Sequence, residues 1–235
     1  METPFNGRII KNDPVPQEDS EGFSPVFQRH DRVLIIAGGA SLRAFNFDIL
    51  SGDKNFRIIT VNDSYFHIAS DYWISIDLFR NKVLSTETRG KCYRFLGVDK
   101  LLDFPNIHYL KRPYVHPADK HLPVTNKDCL IETPWQIQTH NSCYAALNLA
   151  YHFRAKKIAI LGLDADDGPH WYDDIRTELG TRGWAISFSK LPDLFDLASR
   201  QLTSLGVEVI NGSPHSRVTS FPRVPPSNAV SWLED

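Results

Sequence analysis

The stretch VLIIAGGASLRAF, residues 33–45, contains the signal that decides the fold. Five apolar residues run into the pair Gly38 and Gly39, then into Ser41 and a segment that can form a short helix. Such continuous apolar character predicts a strand buried on both faces, as in a parallel sheet. Glycines at its end favour either a plain strand-to-helix turn or a close approach of the backbone to a ligand such as phosphate.

Further apolar runs alternate with helical patterns along the chain. Strands are predicted at 56–61, 72–77, 106–111, 156–164 and 207–212, and helices at 78–96, 141–155, 192–206 and the C-terminal tail. This alternation predicts an α/β protein with a mostly parallel sheet and helices on both faces. Residues 112–140 contain four prolines and no clear period, so we expect a long loop or lid there. The domain would span 32–235, after a proline-containing, irregular N-terminal arm at 1–31.

The composition limits the classes of partner. The 235 residues are 42% hydrophobic and 23% charged, with a net charge of −2, which disfavours a broad nucleic-acid surface. No apolar run has the length of a membrane span, and no apolar stretch typical of a signal peptide follows Met1. The three cysteines lack metal-ligand spacing, so we interpret them as reduced thiols. We therefore expect a cytoplasmic protein with no membrane partner.

Polar residues follow the ends of several predicted strands and begin the strongest predicted helix. Because parallel strands end at one edge of the sheet, these residues should converge there. The candidates for nucleotide binding are Gly38, Gly39, Ser41, Asn62, Asp77, Asn141, Ser142 and Asp164. The dinucleotide fingerprint G-x-G-x-x-G and the P-loop pattern are both absent. For each candidate, a turn or helix-cap role is the structural alternative.

The segment GLDADDGPHWYDD, residues 162–174, has the most unusual local composition. His170 could act as a general acid or base with Asp166 beside it, because the pKa of a histidine lies near neutrality. Trp171 and Tyr172 could contact a substrate. Asp164 and Asp166 carry the hard oxygen ligands that Mg²⁺ or Mn²⁺ prefers, but a D-x-D pattern also suits an exposed acidic loop.

Four elements taken together resemble the small bacterial sialyltransferases and their phage and bacterial relatives, a group that is also similar to archaeal 6-hydroxymethylpterin diphosphokinases. They are IIAGGASL, ITVNDSYF, SCYAALNLAYHFRAKKIAILGLD and VEVINGSPHSRVTSFPR, which occur in the same order between residue 33 and about residue 223. The resemblance implies a Rossmann-like single domain with a lid, formed by residues 112–140 or 165–190. It also implies that the glycine loop and Asn62 hold a nucleotide, and that Asn141 and Ser142 lie near its phosphate.

The chain departs from that family at three positions. Where the family has tyrosines that steady the leaving phosphate, this chain has Asp166 near the first position and Tyr172 roughly near the second. Where the resemblance places the catalytic histidine, this chain has Phe188. His170 is the substitute base that the local chemistry suggests.

Residues and resemblance together predict a nucleotide-dependent group transferase. The leading interpretation is a glycosyltransferase that moves a sugar from a nucleotide-sugar donor to a hydroxyl acceptor and requires no cofactor. A phage-encoded chain would act in the host cytoplasm, with a modified DNA base as one conceivable acceptor. One alternative is a diphosphokinase-like enzyme that uses ATP, with Mg²⁺ or Mn²⁺ on Asp164 and Asp166. Another is a non-catalytic nucleotide-binding module.

Overall fold

A seven-stranded, entirely parallel sheet forms the centre of the protein. The computed structural model describes residues 28–76, 92–98, 108–111, 123–133, 135–138, 140–166, 168–172 and 188–235. The strands are β1 (Arg32–Ile36), β2 (Arg57–Val61), β3 (Tyr72–Ser75), β4 (Tyr93–Val98), β5 (His108–Lys111), β6 (Lys157–Leu161) and β7 (Glu208–Asn211). Their order across the sheet is β5-β4-β3-β2-β1-β6-β7. The predicted Rossmann-like α/β fold is confirmed.

The two faces of β1 pack into two separate cores, which explains its unbroken apolar sequence. Val33 and Ile35 point into one core, and Leu34 and Ile36 into the other, and all four are fully buried. Side chains alternate between the faces of a strand, so a strand covered on both sides needs apolar residues at every position.

Three helices cover these faces. Helix α1 (Ser142–His152) and helix α2 (Leu191–Ser204) pack on the side of Ile35, and helix α3 (Pro226–Glu234) packs on the side of Leu34. Helix α1 is buried along nearly its whole length, and Asn141 caps its start by accepting a hydrogen bond from Cys143 N. All three helices were predicted from the sequence.

Two predicted helical segments take other conformations. The prediction of helix over 78–96 is wrong from Tyr93 onward, because β4 begins there and pairs with β3. The segment after the glycine pair forms two short 3₁₀ turns, Ala40–Leu42 and Phe47–Leu50, instead of one helix. The second turn has its own cap, Asn46, whose side chain accepts from Asp48 N and restarts the backbone there.

The strand order places a topological switch point at β1. From β1 the chain proceeds through β2 to β5 in one direction, then returns through α1 to add β6 and β7 on the other side. The carboxyl ends of β1 and β6, with the loops that follow them, therefore lie side by side at the switch point. In open α/β sheets this crevice is where ligands bind.

Several predictions fall on residues outside the described part of the chain. These include Asp77, most of the N-terminal arm, residues 112–122 of one candidate lid segment and residues 173–187 of the other. Residues 28–31 lead without regular structure into β1, and the proposed domain boundary near residue 31 stays a prediction. Within the described ranges, no helix is both long enough and apolar enough to cross a membrane.

Truncating Leu34 should destabilise the protein strongly, because the side chain is fully buried in the central strand. We expect Leu34→Ala to lower the free energy of unfolding by about 2–5 kcal/mol, measured by urea denaturation. The matched control is Leu205→Ala, at a side chain that is 54% exposed just after α2. That change should stay within about 0.5 kcal/mol. Equal losses for the two variants would contradict the assignment of β1 to the core.

Candidate functional site

A cavity of about 340 Å³ lies at the switch point, above the carboxyl ends of β1, β2 and β6. Predicted site residues that line it are Gly38, Gly39, Asn62, Asn141, Ser142, Asp164, Asp166, His170 and Tyr172. The predicted convergence of strand-end residues on one rim is therefore observed. Its volume is in the range of small-molecule sites.

The glycine loop after β1 is fastened to the loop after β6. Gly39 N donates to Gly162 O at 2.9 Å, which continues the β1–β6 ladder beyond the strands. The Asp164 carboxylate then accepts from Ser41 N at 2.7 Å and from Ser41 Oγ at 2.5 Å. Asp164 is 8% exposed, so these two bonds satisfy a buried charge. The two hydrogen bonds from Ser41 to Asp164 thus hold the glycine loop against the loop after β6.

This fastening explains why residue 39 is a glycine. A Cβ on Gly39 would lie 2.5 Å from Gly162 O and 2.6 Å from Asp164 Cγ. Gly162 itself has φ of +72°, a left-handed conformation that favours glycine. The glycines therefore serve the close approach of the two loops to each other, and the same approach exposes their backbone to the cavity.

Asn62 faces the cavity from the end of β2 in a constrained conformation. Its φ is +51°, in the left-handed region that asparagine tolerates better than most residues. Its Oδ1 accepts from Ser75 Oγ at 2.7 Å, and its carbonyl accepts from Trp73 Nε1 at 2.9 Å. With the amide oxygen held by Ser75, the amide nitrogen is the side chain's remaining polar group, and it is a donor.

Residues 170–172 lie over the glycine loop. Trp171 N donates to Gly38 O at 2.9 Å, and its indole Nε1 donates to Ala37 O at 3.1 Å. The rings of His170 and Tyr172 stack with centroids 5.1 Å apart, and both rings line the cavity. Trp171 does not line the cavity, and its ring packs on that of Phe47 with the two ring centroids 4.6 Å apart. The structure therefore gives Trp171 a packing role, and its predicted contact with substrate has no support from this placement.

The start of α1 forms the wall opposite this segment. His140, Asn141, Ser142 and Cys143 all line the cavity, and the positive end of the helix dipole is directed into it. Burial raises the pKa of the Cys143 thiol to about 12, so this residue is a neutral thiol at physiological pH. Cys143 is consequently no candidate nucleophile, because thiol reactivity requires the thiolate.

The metal-binding hypothesis gains little from the geometry. In the described residues, no group of three or more His, Cys, Asp or Glu side chains is placed to hold a metal ion. Both carboxylate oxygens of Asp164 accept from Ser41, and Asp166 Oδ1 accepts from Gly168 N at 3.1 Å. The assignment of Asp164 and Asp166 as metal ligands stays a prediction.

Comparison with solved structures identifies the fold. The sialyltransferase CstII from Campylobacter jejuni, in complex with the substrate analogue CMP-3FNeuAc, aligns with 83% of this chain and 86% of its own, at 14% identity and a TM-score of 0.50. The fold is that of the small sialyltransferases. A second structure, sialyltransferase CST-II with a trisaccharide acceptor and CMP, aligns with 87% of this chain and 88% of its own, at 14% identity and a TM-score of 0.49.

The other two comparisons add nothing further. Neither family models nor curated proteins give a match to this chain. The solved structures confirm the resemblance drawn from the four sequence elements as a likeness of fold. The roles that it implies for individual residues stay predictions.

The cavity lining includes two residues that the sequence analysis did not propose as functional, Phe188 and His140. Phe188 lines the wall at the position where the resemblance places a histidine, so the cavity is apolar there. His140 also lines the cavity. Its position directly before the predicted helix cap Asn141 was the available signal.

The two glycines of the loop should respond differently to the same substitution. We expect Gly39→Ala to destabilise the protein by about 1–3 kcal/mol, because the new methyl group meets backbone and an anchored carboxylate. Gly38→Ala should cost less, because its methyl group meets the ring of His170, which can move. Urea denaturation of the two variants measures the difference. A Gly38→Ala variant as destabilised as Gly39→Ala would show that the 170–172 segment is fixed as firmly as the β6 loop.

Proposed function

We propose that this protein is a nucleotide-sugar-dependent glycosyltransferase. The observation that carries the proposal is one cavity, at the switch point of a sialyltransferase-like fold, that combines a glycine loop, Asn62 and the N-terminus of α1. The structural relatives are sialyltransferases, and their structures contain CMP or a CMP-sugar analogue. The cavity has room for a nucleoside.

Each wall of the cavity suits a part of such a donor. The backbone at Gly38 and Gly39 lines the cavity and carries no side chain of its own, so it can approach a nucleoside closely. The Asn62 amide nitrogen can donate to an acceptor atom of the donor. Backbone N–H groups at the start of α1 favour an anion, so the phosphate that leaves in the transfer would be stabilised near Ser142.

The reaction follows from this arrangement. The acceptor hydroxyl attacks the anomeric carbon of the bound sugar and gives up its proton to a base or to water. The bond from that carbon to the phosphate oxygen breaks, and the nucleotide leaves with the electron pair. Electrostatic stabilisation of the leaving phosphate would lower the barrier, because the dipole is fixed before the reaction begins. The proposal specifies a hydroxyl acceptor. It does not extend to DNA or to a phage origin, which neither the fold nor the comparisons support.

Nucleotide binding is tested best by a substitution that leaves the backbone unstrained. Asn62→Asp keeps an oxygen for Ser75 and tolerates the left-handed backbone, but it replaces the amide donor with a negative charge. We expect CMP or the cognate nucleotide sugar to bind at least tenfold more weakly, a loss of about 1.4 kcal/mol or more by isothermal titration calorimetry.

The control for this variant is Asn228→Asp, which adds the same charge at an exposed position of α3. It should bind like wild type. The probes are CMP and a panel of CMP-, UDP- and GDP-sugars, screened first by thermal shift. A ligand present at 100 times its Kd should stabilise the protein by about 2.7 kcal/mol. Binding without sugar transfer to any acceptor would favour a non-catalytic binding module, and failure of every nucleotide to bind would overturn the proposal.

Chelation separates the transferase from a metal-dependent diphosphokinase. Since both Asp164 oxygens accept from Ser41, we expect sugar transfer to proceed at the same rate in EDTA. Donor turnover with and without EDTA, followed by release of the free nucleotide, measures this. Loss of all turnover in EDTA, restored by Mg²⁺ or Mn²⁺, would instead support catalysis through a bound metal.

A further inference from the structure

The peptide group that joins Ala37 to Gly38 carries a donor that the protein itself does not use. Its carbonyl, Ala37 O, accepts from Trp171 Nε1 at 3.1 Å and from Ser64 Oγ at 3.0 Å. Its N–H, on Gly38, donates to no residue in the described part of the chain. Gly38 lines the cavity and has no side chain to cover this group. A backbone donor in such a position is satisfied by water or by a ligand.

The N–H groups on either side of Gly38 are already paired. Ala37 N donates to Leu161 O at 2.9 Å, and Gly39 N donates to Gly162 O at 2.9 Å. Both bonds hold the glycine loop against β6 and the loop that follows it. Of the three consecutive N–H groups at residues 37–39, the middle one is therefore left for a ligand.

The fixed carbonyl determines where the Gly38 N–H is directed. In a planar trans peptide group, the C=O and N–H bonds point in opposite directions. The Ala37 carbonyl is directed at Trp171, which packs on the face of the sheet that contains Leu34. The N–H is consequently directed toward the opposite face, where α1 packs and its residue Cys143 lines the cavity.

Trp171 is itself held in place by the segments around it. Its backbone N donates to Gly38 O at 2.9 Å. Its ring packs on that of Phe47, with centroids 4.6 Å apart, and makes an edge-on contact with the ring of His67 at 5.2 Å. Phe47 follows β1 and His67 follows β2, so both neighbouring segments fix the indole. The direction of the Nε1–H bond is thus set before a ligand binds.

We propose that Trp171 is a positioning residue, which orients the peptide group of Gly38 so that its N–H donates to an oxygen of the bound nucleotide. The inference rests on the proposed nucleotide binding. It gives Trp171 a role that acts through the backbone, in place of the direct contact with substrate predicted from the sequence. A donor fixed in advance binds more strongly than a mobile one, because no ordering of the loop opposes binding.

The indole N–H can be removed while the rest of the contact is kept. Trp171→Phe leaves an aromatic ring against Phe47 and the backbone bond to Gly38, and Ser64 still satisfies the Ala37 carbonyl. With one of its two donors gone, the peptide group is held less firmly. We expect CMP to bind about three- to tenfold more weakly, measured by isothermal titration calorimetry.

The matched control is Trp232→Phe, the same chemical change at a half-buried indole of α3 that does not line the cavity. It should bind CMP with the wild-type Kd. Cytidine, titrated in parallel, identifies the oxygen that accepts. If Trp171→Phe weakens CMP and leaves cytidine unchanged, the Gly38 N–H donates to the phosphate. If it weakens both equally, the N–H donates to the nucleoside.

The Gly38 amide can also be observed directly by NMR. Labelling with ¹⁵N-glycine restricts the spectrum to the 13 glycines of the chain, and Gly38→Ala identifies the signal by its loss. A hydrogen bond to an oxygen of CMP should move the amide proton of Gly38 downfield in the wild type. The movement should be smaller in Trp171→Phe, an effect that support of the fold alone does not produce.

The outcomes separate this inference from the proposed function. If CMP binds but the Gly38 signal does not move, or if Trp171→Phe binds CMP as tightly as the wild type does, the role of Trp171 is wrong and nucleotide binding stands. If Trp171→Phe does not fold, Ser64→Ala removes the other donor to the same carbonyl, and unchanged CMP binding by that variant would contradict the inference. A wild type that binds no nucleotide would overturn both.

Discussion

The buried carboxylate of Asp164 connects the two loops on which the cavity depends. It accepts two hydrogen bonds from Ser41, while the neighbouring Gly162 accepts one from Gly39. Hydrogen bonds to a charged group contribute about 1.5–3 kcal/mol each, and an unpaired buried carboxylate would cost more than that. The loops after β1 and β6 are therefore fixed relative to each other at the switch point. Without this connection, the strands would still pair, but the cavity floor would lose its shape.

These hydrogen bonds give Asp164 a structural role within the acidic segment, residues 162–174. The pattern D-x-D suggested metal ligands because carboxylates are costly to place together without a cation. One of the two is instead buried behind the glycine loop, where Ser41 satisfies it and Gly39 leaves room for it. The cavity lining also includes the backbone of the glycine loop, Asn62 and the start of α1, alongside Asp164 and Asp166. The loop backbone, the Asn62 amide and the helix start can supply donors to the phosphate and base of a nucleotide.

The fold was predictable because its signals are local, whereas a contact such as that of His140 Nε2 with Asp128 Oδ1, at 2.8 Å, joins two distant segments. Unbroken apolar runs identify β1 and β6, and the parallel sheet then brings Gly38, Asn62 and Asp164 to one edge by geometry alone. By contrast, Asp128 lies in a proline-interrupted stretch without periodicity, so no pattern connects it with His140. The 3₁₀ turns after Ser41 were also missed, because helix-like spacing of apolar residues does not reveal a second cap at Asn46.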